Sequence, residues 1–128
     1  MHTIIIAFLV GALAALLGSL LGVGGGILMV PAFKSFLGLS MKQAIATSLA
    51  VMVVTASVSS FRYAGAGLID WKIAGVAAIA ALVAAYFGSE LMKSLSAPQL
   101  RILFGVFLIT VGIYMLFFQL SLIHISEP

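Results

Sequence analysis

From Met1 to Phe33 the chain contains no Lys, Arg, Asp or Glu. A soluble domain, with about a quarter of its residues charged, could not keep such a stretch in water. The rest follows the same pattern. Six basic and three acidic side chains serve 128 residues, 64% of the chain is hydrophobic, and mean hydropathy is +1.35. These figures exclude a soluble globule and a disordered chain, and the lack of cysteine excludes a disulfide scaffold. The net charge is +3, but no Lys/Arg run exists to bind phosphates, so nucleic acid is not an expected partner. Isolated basic residues between apolar stretches instead fit membrane edges, where they meet anionic lipid. Membrane lipid is the first partner the sequence predicts.

Spans can be placed by length. Ile4 to Leu21 is a first crossing. A signal peptide would want a basic region ahead of it, and only His2 precedes it. "GVGGG" at Gly22–Gly26 then breaks any simple helix, since glycine lacks side-chain support and tolerates positive φ. Ile27 to Leu37 supplies eleven residues with Pro31 and Lys34 among them, too few to cross about 30 Å. One continuous helix from Ile4 to Leu37 would be about 51 Å long, which is too much. A broken helix or re-entrant hairpin satisfies both limits. Gln43–Phe61, Ile73–Ser89 and Ile102–Phe118 make three more crossings, with Ser40, Asp70 and Ser96 as N-cap candidates and Pro98 in a first turn. The fold class is therefore all-α: a polytopic membrane helix bundle of about four transmembrane helices with an interrupted glycine-rich segment.

If Gly22–Leu37 returns to the side it left, Lys34, Lys42, Lys93 and Arg101 share one side, and Arg62 and Lys72 the other. The positive-inside bias then places the first side in the cytoplasm and both termini outside.

Small residues recur at Gly11, Ala15, Gly18, Gly22 and Gly26, at Gly75, Ala78, Ala81, Ala85 and Gly88, and at Gly105 and Gly112. Such stripes let membrane helices approach closely. The second crossing adds hydroxyls at Thr47, Ser48, Thr55, Ser57, Ser59 and Ser60. Hydroxyls in a membrane helix often bond back to its own carbonyls; beside an opened glycine segment they could equally donate to a hydrated polar ligand. A helix beginning after Gly26 would aim its dipole and free N–H groups at an anion, as discontinuous helices of secondary transporters do. "GVGGG" is not a dinucleotide fingerprint, and no GK[ST] follows it. His2 and His124 stand at opposite ends, so no metal set forms, no cofactor is expected, and no nucleophile–base pair for an enzyme is present.

The order "GSLLGVGGGILMVPAF", then "QAIATSLAVM", then Tyr63, Gly67, Asp70 and Trp71 in a short connection resembles the sulfite exporter TauE/SafE family of membrane permeases. Gly18, Gly22, Gly24, Gly25, Gly26 and Pro31 match its glycine-rich element, and Ala46, Thr47 and Ser48 its "ATS" element. The resemblance, from about Ile4 to Phe118, implies a multi-pass permease of the bacterial inner (cell) membrane carrying sulfite, sulfonates or related organosulfur anions. It also implies two related halves, each with a glycine-rich element. One such element is present here, so residues 1–119 resemble one half. The expected partner is a second homologous half, in further C-terminal sequence or in another chain. "LSLIHISEP" at Leu120–Pro128 differs from what precedes it and resembles the translation of a transposase-adapter sequence, so residues 120–128, including His124 and Glu127, are expected to be a non-native tail.

The leading expectation is a transporter passing a small anionic substrate through a gap between the glycine break and the hydroxyl face. Its substrate-binding residues would be Gly22, Gly24, Gly25, Gly26, Pro31, Thr47, Ser48 and Thr55, with Lys34 or Arg62 attracting the anion near an entrance. The alternative is a non-transporting scaffold that packs through Gly/Ala faces such as Gly75 and Gly88. A membrane enzyme ranks third.

Overall fold

The computed structural model describes residues 1–126; Glu127 and Pro128 of the proposed tail lie outside the described residues. All regular structure among the described residues is α-helix: α1 (His2–Leu21), α2 (Gly26–Leu37), α3 (Met41–Gly65), α4 (Trp71–Ser94) and α5 (Ala97–Ser126). Four of these, all but α2, are long and apolar enough to cross a membrane. Leu13, Leu16, Leu20, Val53, Leu82 and many other large apolar side chains point outward, an arrangement that hydrocarbon tolerates and water does not.

The described residues form two compact units, Met1–Leu95 and a second that begins at Ser96. In the first, α1, α2 and α3 pack on one another. Their shared interior contains Ala14 and Gly18 from α1, Met29, Val30 and Phe33 from α2, and Met41, Ala44 and Ser48 from α3. The α3 positions recur every three or four residues and so share one face. Lipid tails are as apolar as these side chains, so close contact and hydrogen bonding, not escape from water, hold this trio together.

Helix ends follow the local chemistry. Ser40 Oγ accepts from the Gln43 amide at 3.2 Å while Gln43 Oε1 accepts from the Ser40 amide at 3.1 Å, a reciprocal capping box. Asp70 Oδ1 accepts from the amides of Lys72 and Ile73, each at 3.1 Å. In the second unit the Ser96 amide donates to Gln99 Oε1 at 3.0 Å, and Pro98 lies in the first turn of α5, where a missing N–H costs nothing. The expected crossing Ile102–Phe118 lies inside α5, which continues as helix through Ser126.

The direction of α2 corrects the topology expected from charge. Gly22, Gly24 and Gly25 all take left-handed backbone, with φ of 73°, 70° and 80°, and reverse the chain. Gly25 comes to rest against the Ala14 carbonyl, and Phe33 and Leu37 reach a groove shared with Ala7, Phe8 and Gly11. α2 thus runs back along α1, and Lys34 and Lys42 stand at the end where α1 begins. Lys42 Nζ donates to the Lys93 carbonyl there at 2.8 Å. The N-terminus therefore shares an end with these lysines instead of opposing them, while Arg62 and Lys72 occupy the other end.

Candidate functional site

The helix break lies inside the bundle. Gly25, the N-cap of α2, sits beside Ala14, roughly 10 Å short of the end of α1. At about 18 Å, α2 is a partial crossing. The amides of Leu28 and Met29 donate to the Gly25 carbonyl at 3.1 and 3.0 Å, so those of Gly26 and Ile27 precede the first bond of the helix. Pro31 is exposed in the middle of α2, and its ring removes the donor that Ile27's carbonyl would otherwise receive.

A cleft of about 240 Å³ opens between the glycine link and α3. Gly18, Ser19, Gly22 and Gly24 line it on one side; Thr55, Ala56, Ser59, Ser60 and Tyr63 line it on the other. The two walls are joined by hydrogen bonds. Ser19 Oγ and Ser59 Oγ are 2.7 Å apart, and the Tyr63 hydroxyl donates to the Ser19 carbonyl at 2.8 Å. Ser60, also on the wall, makes no side-chain hydrogen bond among the described residues. Among the described residues no charged side chain lines the cleft, so a ligand there would be held by hydroxyl and peptide dipoles.

Of the residues expected to bind substrate, Gly22, Gly24 and Thr55 line this cleft. Gly25 and Gly26 are buried beneath it, Gly25 on Ala14 and Gly26 on Met52. Ser48 is 1% exposed and its hydroxyl donates to the Ile45 carbonyl at 2.8 Å, the back-bonding alternative. Thr55 does likewise toward Met52 at 3.3 Å. Thr47 faces a second, apolar groove of about 460 Å³ bounded by Phe8, Phe33, Leu37, Val51 and Thr55. Arg62 lies at the cleft's end of the bundle and Lys34 at the opposite end; neither lines the cleft.

Ser19 and Tyr63 were not among the expected binding residues. A signal was present within α3, where Thr55, Ser59 and Tyr63 repeat every four residues and share a face. Nothing local points from that face to Ser19, 40 residues away.

Comparison with known proteins gives a consistent result. A family model described as "Sulfite exporter TauE/SafE" matches residues 3–126. A Methanocaldococcus jannaschii protein described as a "probable membrane transporter protein" is 38% identical over 118 residues, covering 88% of this chain and 43% of that relative. A Bacillus subtilis relative with the same description is 28% identical over 116 residues, covering 85% and 42%. One from Haemophilus influenzae is 33% identical over 105 residues, covering 73% and 40%. The chain thus spans less than half the length of these relatives. No solved structure matches it.

Proposed function

The chain belongs to the sulfite exporter TauE/SafE family, and from that membership we propose that it forms part of a permease that passes a small anion across a bacterial inner membrane. The substrate class we assign is sulfite, a sulfonate or a related organosulfur oxyanion. Transport is assigned to a larger assembly in which a second homologous half completes the pathway.

The observation that carries this reading is the helix break within the bundle beside a neutral, hydroxyl-lined cleft. An oxyanion leaving water needs several hydrogen-bond donors at once. Peptide groups of the link at Gly22 and Gly24 and hydroxyls such as Ser60 supply them without an opposing charge, so the anion can also leave. In this account Gly22 and Gly24 let the backbone approach the ligand, Ser60 donates to it, and Arg62 raises the local anion concentration at that end of the bundle.

Uptake of radiolabelled sulfite into proteoliposomes holding the full-length protein tests the proposal. Flux that survives replacement of both Gly22 and Gly24 by valine would sink the site, and absence of flux for sulfite and a panel of sulfonates would sink the substrate class. A scaffold would show no flux at all and would lose partner binding on substitution of Gly75 or Gly88.

A further inference from the structure

We infer that Tyr63, with Ser59, is the positioning element that keeps α1 broken at Gly22 and so holds the cleft open. Ser19 lies in the last turn of α1. Its intrahelical donor would have been the amide of Val23, but Gly22 turns left-handed before the helix can reach it. A carbonyl left that way needs a donor from outside its own helix. The Tyr63 hydroxyl provides it at 2.8 Å, across 44 residues of chain. One turn earlier on α3, Ser59 Oγ meets Ser19 Oγ at 2.7 Å. Both groups of Ser19 are therefore gripped by one face of α3, and the grip sits on the wall of the cleft.

This arrangement resolves a competition. Without an outside acceptor for the Tyr63 hydroxyl and an outside donor for the Ser19 carbonyl, the last turn of α1 would gain by extending through Gly22 toward Gly24, and that extension would draw the link out of the cleft. Tyr63 thus acts as a C-cap supplied by a different helix. It spends its own proton on that carbonyl, while Ser60 on the same wall has no side-chain hydrogen bond among the described residues and is available to a ligand.

The test combines hydrogen exchange with flux, both on full-length protein in lipid; only the flux arm rests on the transport reading. Tyr63→Phe keeps the ring and removes the hydroxyl, and Ser59→Ala removes the second contact. Each should speed amide exchange in the segment around Leu16–Leu21 by about threefold, the average effect of a hydrogen bond between membrane helices. A Ser19→Ala/Ser59→Ala cycle should show coupling of the same size, and Tyr86→Phe, on α4, should leave exchange in that segment unchanged. Sulfite flux should fall in Tyr63→Phe. Exchange in Tyr63→Phe and Ser59→Ala equal to wild type would overturn the inference, whatever the flux. Faster exchange in a protein that carries no anion would uphold the cap and remove the transport reading instead.

Discussion

Gly18 on α1 faces Gly25 of the link so closely that a methyl group on Gly18 would lie 2.8 Å from the Gly25 Cα. The obstacle is backbone on both sides, so no rotamer change relieves it. Gly18→Ala is expected to destabilise the first unit by about 1–3 kcal/mol, the usual range for overpacking, and to abolish flux. Thermal unfolding in detergent would report the first effect. Gly75→Ala and Gly88→Ala, where a Cβ meets nothing within 4 Å, should be neutral or slightly stabilising, because alanine is the better helix former.

Gly25 and Gly38 both adopt left-handed backbone, at φ of 80° and 67°, but only Gly25 is also crowded, by the Ala14 carbonyl at 2.6 Å from an added Cβ. Gly38→Ala should therefore lose only the backbone term, about 1–2 kcal/mol. Gly25→Ala should lose that plus the overlap. Denaturation of the two variants side by side separates conformational freedom from close approach; equal losses would mean that the contact with Ala14 is unimportant.

Ser60 and Ser48 are both hydroxyls of α3, yet only Ser60 stands on the cleft, while Ser48 is tied to the Ile45 carbonyl. Ser60→Ala is expected to raise KM for the transported anion about fivefold, the worth of one net hydrogen bond of roughly 1 kcal/mol, with kcat little changed. Ser48→Ala should leave KM where it was. Concentration-dependent uptake distinguishes them, and a KM shift in Ser48→Ala alone would move the site toward Thr47 and Ser48.

α4 has no buried residue, and Lys42 Nζ holds its last turn through the Lys93 carbonyl. Lys42→Met keeps the apolar stem and removes the donor. Amide exchange across Leu91–Ser94 should rise by at most about fivefold, as expected for an exposed charged contact. High salt should shrink the difference between the two proteins.

Several of these relationships could be read from the chain and others could not. The capping box at Ser40 and Gln43 and the cap at Asp70 are local, set within three residues, so spacing alone reveals them. The break at Gly22–Gly26 is likewise visible, because glycine's freedom to take left-handed backbone is local; the Tyr63 contact that holds the break is not. Which hydroxyls turn back on their own helix is less visible: Ser48 and Ser60 look alike in sequence, and only the face each occupies separates them.

The sequence by itself determined that this is a membrane helix bundle with one interrupted segment, since charge-free length and glycine backbone freedom are properties of short stretches. Tertiary structure decided the path and the site. It ran α2 back along α1, placed the N-terminus with Lys34 and Lys42, and brought Tyr63 to the orphaned carbonyl of Ser19. The first two outcomes follow from how the glycine link packs on Ala14 and the third from a pairing across 44 residues, and neither kind of contact leaves a periodic trace in the chain.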